Sequence, residues 1–549
     1  MKKMAKYMAF AVLAAVLVSF TACGGTDKTA EGSGGGGQEY GLQGGGGQTE
    51  PHGKISVNIC VMNEFRNLDR ILDRYYEMTA FDPVLSQIKL NFSYVDSAEY
   101  KEMLKSAIRD QEDYDLIFVG SWQGRDAMIT DGSFKNVTKY FYDEENYPGL
   151  AGAFSEELLS SQKVEGELYT VPVLTCMDDL KGLCYREDLR KKYGCEEIRD
   201  EVTLRAYLDT ITDHLDNEDM VCAWGVSGQG FMTFRSNNYE RARNGIHKVT
   251  AGTDFWVYVK DGKVVNAVTG GDDESAFADF PEGFRRDFIT EDYQELVDWT
   301  QYINEDAAAG GDSVDFNTGL CAATYKSFSE YAALLPEVKK SIPEAVVGFY
   351  VFDGPQRNME PGAITSSFAA NNTVVVPAWS PDEKTDAVMH FLDALYGNKE
   401  INDLFTYGVE GVDWESADGK VITRLEVAEQ DKYIFPTYCL VDAPNFYYYP
   451  SEITGDKKLL DYYEYMLDLE GSYTLEEPIS GFVFDKTNVE KEVAAISNVS
   501  GNYNMFIYGS YKGETGRRAK AMNEEMKNAG LEKVRAEIIS QLQEYIDAR

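Results

Sequence analysis

The sequence predicts an α/β fold with more than one hydrophobic core. Strand-like segments at 54–61, 88–95 and 114–120 alternate with helical spacing at 68–76 and 97–110. The third strand is almost wholly apolar, as expected in a parallel sheet that is covered on both faces. The chain has 549 residues, whereas single cores stop growing at about 250 to 300 residues. Because no low-complexity linker follows residue 53, we expect two lobes that share the chain.

The later segments continue the alternation of strands and helices. Residues 164–172 are typical of a hairpin that leads into a strand. A second hairpin is predicted around Asp261-Gly262, a favoured two-residue turn. The remaining predicted elements are strands at 181–186 and 373–377 and helices at 187–192, 203–215, 380–395 and 531–545.

The N-terminal segment has the features of an export signal. Three lysines precede an apolar run from Met8 to Phe20, and Cys23 follows, so residues 1–22 are predicted to be a signal peptide. The apolar run is shorter than the roughly 20 residues of a membrane-spanning helix. The segment resembles a bacterial lipoprotein leader, although Phe20 stands where such leaders usually carry Leu. This resemblance implies that Cys23 carries palmitate or a similar lipid and that glycine-rich residues 23–53 form a tether. An ordinary, fully removed signal peptide is the alternative.

The charge of the chain excludes two classes of partner. The sequence has 92 acidic and 52 basic residues, a formal net charge of −40, and this field repels nucleic acid and anionic lipid head groups.

Seven cysteines remain besides Cys23, without the CxxC spacing of a metal or redox site. We therefore predict mostly buried free thiols.

The sequence lacks the common catalytic motifs. It contains no GxSxG, Walker A, HExxH or GxGxxG pattern and no cluster with metal-ligand spacing. We therefore expect no catalytic residues, no cofactor and no metal, and a protein that is not an enzyme. Carboxylates are so abundant that a glycosidase pair cannot be selected by spacing. A surface glycoside hydrolase is the alternative.

Aromatic and amide side chains at predicted loops indicate a binding site for sugars. Sugar rings stack on flat aromatic rings, and their hydroxyls bind placed polar groups. Trp122 lies between Ser121 and Gln123, directly after the third strand, and Trp224 lies in a glycine-containing segment predicted as a loop. Tyr325 and Trp414 fall near other predicted strand or helix ends. For each ring, packing in the core is the alternative.

The order of several segments resembles the family-1 extracellular solute-binding proteins of bacterial ABC importers. The resemblance is carried by residues 114–138, 166–189, 319–323 and 373–395. Two further stretches, Tyr407 to Trp414 and residues 481–545, are similar to the lipoprotein A (LplA)-like branch of that family. A peptide or another small solute is the alternative ligand.

The resemblance implies a two-lobed, periplasmic-binding-protein-like fold of type II, with a hinge between two α/β lobes. Lobe 1 is expected to comprise residues 54–168 and 372–440, lobe 2 residues 169–371, and residues 441–549 to complete mainly lobe 2. The protein is then a monomer on the outer face of the membrane that delivers a sugar to its permease.

The resemblance also implies which residues line the cleft between the lobes. Asp178 and Glu410 are expected to accept hydrogen bonds from sugar hydroxyls. The complete set of expected ligand-binding residues is Asn63, Trp122, Thr175, Asp178, Trp224, Tyr325, Glu410 and Trp414.

Overall fold

The computed structural model describes residues 53–164, 166–173, 179–226, 234, 238–304, 314–365, 371–441, 448–468, 471–474, 478–479, 482–501 and 504–548. The strands of these residues are β1 (Ile55–Met62), β2 (Ile88–Val95), β3 (Leu116–Gly120), β4 (Val171–Pro172), β5 (Lys181–Arg186), β6 (Cys222–Gly225), β7 (Ile246–Thr250), β8 (Asp254–Lys260), β9 (Lys263–Val268), β10 (Cys321–Ser327), β11 (Val347–Val351), β12 (Ile364–Thr365), β13 (Asn372–Val375), β14 (Trp414–Glu415), β15 (Val421–Arg424), β16 (Tyr449–Pro450) and β17 (Tyr473–Thr474). The helices are α1 (Leu68–Thr79), α2 (Ser97–Asp110), α3 (Arg125–Thr130), α4 (Thr138–Phe141), α5 (Pro148–Ala153), α6 (Glu156–Gln162), α7 (Glu187–Lys192), α8 (Glu201–Asp213), α9 (Asn238–Arg243), α10 (Phe288–Trp299), α11 (Phe328–Ser341), α12 (Gly354–Arg357), α13 (Asp382–Gly397), α14 (Lys399–Tyr407), α15 (Lys457–Leu467), α16 (Glu490–Ser500), α17 (Asn504–Ile507), α18 (Thr515–Asn528) and α19 (Leu531–Asp547).

Lobe 1 is built on a five-stranded sheet with the order β2-β1-β3-β13-β4. The first three strands are parallel, as the apolar pattern predicts, and β13 is antiparallel to β3 and β4. Helix α13 covers β1, and its predicted apolar face, which includes Val388 and Leu392, is fully buried. The expected lobe boundary at residue 168 precedes β4, whose pairing places it in the lobe 1 sheet.

Lobe 2 is built on a four-stranded sheet with the order β11-β5-β10-β6. Strand β5 is antiparallel to both of its neighbours, and β10 is parallel to β6. Tyr207 of helix α8 is fully buried, and its hydroxyl donates 3.2 Å hydrogen bonds to the carbonyls of Arg186 and Ala322. These bonds fasten the helix to two of the strands and give the phenol a partner in the core.

A three-stranded antiparallel sheet, β7-β8-β9, packs against the C-terminal helices. The predicted hairpin turn joins β8 to β9, with φ of 49° at Asp261 and 72° at Gly262. Val257 and Ala267 of this sheet share a core with Val534 and Leu542 of α19. The C-terminal helices therefore complete a core that an earlier part of the chain begins.

The described chain passes between the lobes three times. It leaves the lobe 1 core between residues 173 and 179, returns between 365 and 371, and leaves again between 441 and 448. A fold of two α/β lobes that share the chain is thus confirmed.

None of the helices in the described ranges is long and apolar enough to span a membrane. The predicted signal peptide, Cys23 and almost all of the tether precede the described residues.

Candidate functional site

Two sheet edges are held near each other by the first two passages of the chain. The passage after β4 joins the end of that strand to the start of β5, and the passage after β12 leads to the start of β13. They span at most about 30 Å and about 25 Å, because an extended residue covers about 3.5 Å. In lobe 1 the edge is formed by the carboxyl ends of β1 to β4, and in lobe 2 by the carboxyl ends of β6, β10 and β11. We call these the cleft edges.

Trp122 is the prominent exposed ring of the lobe 1 cleft edge. It lies in a short 3₁₀ turn directly after β3, and 55% of its surface is accessible. Its ring contacts Phe118 with centroids 6.1 Å apart. A Cβ atom at Gly120 would lie only 2.6 Å from the indole, so glycine allows the ring to fold back over the strand end. A large exposed ring supported in this way is suited to contact a ligand.

Asn63 organises the same edge from the end of β1. It adopts a left-handed conformation, with φ of 74°, which asparagine tolerates better than most residues. Its Nδ2 donates to the hydroxyl of Tyr438 at 2.8 Å, and its Oδ1 accepts from the backbone N–H of Ser97 at 3.0 Å. The amide therefore fixes the position of neighbouring groups and keeps one further hydrogen-bonding position on each atom.

Tyr438 is a residue of this edge that the sequence did not reveal. Its ring meets Phe118 edge-on at 5.8 Å, and Phe118 also contacts Trp122. Burial raises the pKa of Tyr438 to about 12, so its hydroxyl stays protonated at neutral pH. Tyr438 comes from the second lobe 1 segment, and no local pattern links it to Asn63 or Trp122.

The lobe 2 cleft edge carries a row of aromatic rings. Tyr325, near the end of β10, is half-buried and stacks on Phe352 with centroids 6.2 Å apart and an interplanar angle of 18°. Phe352 in turn meets Phe234 at 5.1 Å. Phe352 directly follows β11 and was not predicted. Tyr325 and Phe352 are the half-buried rings of this row.

The structure corrects the prediction for Trp224. This residue lies in strand β6, not in a loop, and its side chain is completely buried. Its ring contacts Phe234 at 5.4 Å and Phe352 at 6.4 Å. Trp224 therefore forms the base of the aromatic row and supports the rings nearer to the cleft edge. Gly225 and the glycines after it had suggested a loop, but the strand extends through Gly225.

Trp414 lies in a separate small sheet, β14-β15-β16, and Glu410 forms an isolated β-bridge with it. Trp414 is only 4% exposed, its Nε1 donates to the carbonyl of Gly408 at 2.9 Å, and its ring packs on Tyr407 and Tyr448. This burial corrects the prediction that Trp414 forms an open ligand wall. Glu410 is exposed.

Two of the predicted site residues, Thr175 and Asp178, lie outside the described residues. Of the described residues, none form a group of three or more His, Cys, Asp and Glu placed to hold a metal ion. The described cysteines are all free thiols, and five of these six are buried.

Asp353, beside Phe352, caps helix α12 by accepting a hydrogen bond from the N–H of Gln356, and burial raises the pKa of its carboxyl group.

The comparisons with other sequences identify one relative and one family model. Residues 478–547 match a family described as a domain of unknown function, DUF3502. A carbohydrate ABC transporter substrate-binding protein of Streptococcus pneumoniae serotype 4 is 20% identical over 469 residues, which are 83% of this chain and 84% of that protein. The resemblance to extracellular solute-binding proteins is thereby confirmed.

The comparisons with solved structures agree with this relationship. The N-glycan transport solute-binding protein NgtS of Streptococcus pneumoniae aligns with a TM-score of 0.67 at 17% identity, over 90% of this chain and 99% of that one. This chain and NgtS therefore share a fold. The alginate-binding protein AlgQ2 aligns with a TM-score of 0.56 at 12% identity, over 90% of this chain and 98% of that one. In this chain, the matched DUF3502 segment supplies the helices that pack on β7-β8-β9.

Proposed function

We propose that this protein is a lipid-anchored substrate-binding protein of an ABC importer. It captures a sugar or oligosaccharide between its lobes and delivers it to a membrane permease, without chemical conversion. The observation that carries the proposal is the exposed Trp122 on one cleft edge, with the aromatic row of Tyr325 and Phe352 on the other. Flat rings on both lobes suit a ligand that presents C–H faces on both sides.

Polar groups beside Trp122 supply the second half of a sugar site. Asn371 is exposed, and its backbone carbonyl accepts from the N–H of Ser121 at 2.8 Å. The hydroxyl of Ser121 donates to Oδ1 of Asn371 at 3.1 Å. With Asn63, these hydroxyl and amide groups can donate to and accept from sugar hydroxyls. The amides are held in place by the protein, which lowers the entropy cost of binding.

The relatives support the sugar as ligand. The relative from Streptococcus pneumoniae is named as a carbohydrate-binding component of an ABC transporter. Structures of NgtS in complex with Man1GlcNAc and with Man5GlcNAc align with TM-scores of 0.62 and 0.61. We infer a ligand of the same broad class here, and closure of the two lobes around it.

The N-terminal segment places the binding protein beside its transporter. In this proposal residues 1–22 are removed, Cys23 is lipidated, and the tether up to residue 53 has a root-mean-square span of about 30 Å. Mass spectrometry of the mature protein tests the modification. The mature protein should carry a lipid mass on Cys23, and Cys23→Ala should release the protein from the membrane. Recovery of unmodified Cys23 in the membrane fraction would contradict the anchor.

A thermal-shift panel tests the ligand class. We expect the melting temperature of the full chain to rise with at least one oligosaccharide, because a ligand that binds only the folded state stabilises it. Stabilisation by peptides and by no sugar would favour the alternative of a peptide-binding protein. Turnover of an oligosaccharide that one acidic substitution abolishes would favour the glycoside hydrolase. Thr175, Asp178 and Glu410 stay proposed contacts, tested by the affinity of their alanine variants.

A further inference from the structure

The charges of the cleft edges narrow the class of ligand. We propose that the ligand is an uncharged oligosaccharide and that fragments of acidic polysaccharides bind at least about tenfold more weakly. This inference rests on the proposed function and concerns the same site. The described turns at the cleft edges carry seven acidic and five basic residues, and they comprise residues 63–67, 95–99, 120–126, 179–182, 325–330 and 352–357.

Recognition of a carboxylated sugar needs a cation that is available to the ligand. Arginine is the usual partner, because its planar guanidinium donates two parallel hydrogen bonds to one carboxylate. A sugar carboxylate that enters a cleft without such a partner loses its hydration, and no hydrogen bond compensates for the free-energy cost of that loss. The state of each basic residue in these turns therefore decides whether an acidic sugar can be accommodated.

The arginines of the lobe 1 edge are engaged with neighbouring carboxylates. Arg66 lies with its Nε 3.5 Å from Glu64 Oε2 and its Nη1 3.8 Å from Glu429 Oε1. Arg125 donates from Nε to Asp126 Oδ1 at 3.0 Å, and its side chain is only 9% exposed. Both guanidinium groups thus already lie within ion-pair distance of protein carboxylates, and that of Arg125 is buried as well.

The basic residues of the lobe 2 edge are also engaged. Lys326 lies 3.1 Å from Glu330, and Arg357 donates from Nη1 to the carbonyls of Val351 at 2.6 Å and Phe352 at 3.1 Å. The guanidinium of Arg357 also lies over an aromatic ring of β11. Lys181 has an interaction partner as well. Four of the five basic residues of the described turns thus already have a partner for their charged group.

Several acidic residues of these turns face water instead. Asp96 and Glu99 follow the end of β2 and are exposed, and the side chain of Glu64 is 52% exposed. Their negative potential adds to that of a chain with a net charge of −40. Repulsion of a polyanion is the expected result. An uncharged sugar, by contrast, is recognised by the rings and amides already described and meets no such barrier.

Calorimetric titration of the full chain with matched ligands tests this inference. Each pair consists of a neutral oligosaccharide and a uronate oligosaccharide of equal length and linkage. We expect the neutral member to bind at least tenfold more tightly. We also expect the gap to narrow between 50 and 500 mM NaCl, because salt screens the repulsion but not ring stacking. A uronate that binds as tightly as its neutral partner would overturn the inference.

A charge variant gives a second, independent measurement. Glu64→Gln removes an exposed carboxylate and leaves Arg66 with one fewer partner, so uronate affinity should rise several-fold relative to the neutral sugar. Glu490→Gln, an exposed glutamate at the start of α16, is the matched control and should change neither affinity. An unchanged ratio in Glu64→Gln would refute the electrostatic argument. A chain that binds neither member of any pair refutes the proposed function, and the inference falls with it.

Discussion

Arg535 is expected to hold the C-terminal helices in place through a buried ion pair. Arg535 lies on α19 and donates to both carboxylate oxygens of Asp272 at 2.9 Å and to the carbonyl of Ala267 at 2.7 Å. Asn523 of α18 donates to the same carboxylate at 3.0 Å. The side chains of Arg535 and Asp272 are only 9% and 3% exposed. The pair thus joins two C-terminal helices to the end of β9.

The variant Arg535→Met should strongly destabilise this part of the protein. Removal of one partner from a buried pair costs about 3 to 5 kcal/mol, because the other charge stays buried without compensation. The carbonyl of Ala267 also loses its donor, which adds about 1 kcal/mol. We therefore expect the free energy of unfolding to fall by about 4 to 6 kcal/mol. The double variant Asp272→Asn with Arg535→Met should be more stable than the single variant, because no buried charge remains.

Urea denaturation followed by circular dichroism measures these differences, and hydrogen exchange locates them. Exchange should accelerate in residues 515–547 while β1 in lobe 1 keeps its protection. Arg517→Met is the matched control, since Arg517 is 68% exposed and pairs with Glu514 at the surface, and it should change stability by less than about 1 kcal/mol. A similarly small effect of Arg535→Met, or a double variant less stable than the single one, would refute this reasoning.

Three further predictions follow from the burial of single side chains. Trp122→Ala should weaken sugar binding about 10- to 100-fold with little change in stability, whereas Trp224→Ala should cost about 3 to 5 kcal/mol of stability; equal effects of both variants on melting temperature would contradict this. Burial lowers the pKa of His247 from 6.5 to about 4, so the unfolded chain alone takes up this proton as the pH falls from 6.5 to 4. Stability should drop by about 3 kcal/mol over that interval, and a pH series should show that His247→Gln removes this slope. Of the described cysteines, Cys195 should react fastest with a thiol reagent in the native protein, because the other five are buried. Burial also raises the pKa of Cys60 to about 11, which lowers the fraction of reactive thiolate. Modification of Cys60 at the same rate as Cys195, detected by mass spectrometry, would disprove this prediction.

The local elements were predictable because their patterns are one-dimensional. The strands predicted at 54–61, 88–95 and 114–120 are β1, β2 and β3 to within about two residues. The turn at Asp261-Gly262 was predictable because both positions need a positive φ. Which strands pair was harder to predict. Strand β4 joins the lobe 1 sheet by pairing with β13, about 200 residues later in the chain.

The candidate site was only partly predictable, for a related reason. Trp122 could be placed because a single apolar strand ends directly before it. Trp224 was misplaced because glycines follow it, although strand β6 extends through Gly225. Tyr438 and Phe352 gave no signal, since their importance arises from rings that approach from distant segments. A sequence pattern shows where a strand ends, but not which side chains of other segments pack beside that end.

The antiparallel strand β13 has a consequence for the export that we propose. It lies between β3 and β4, and the hydroxyl of Thr373 donates to the carbonyl of Val119 across 254 positions of sequence. A chain that crosses a membrane from its N-terminus therefore presents β1, β2 and β3 long before their sheet can close. During that time the free edge of β3 can pair with the wrong chain. Translocation speed and folding helpers outside the membrane should therefore limit the yield of lobe 1 more than the stability of the finished protein does.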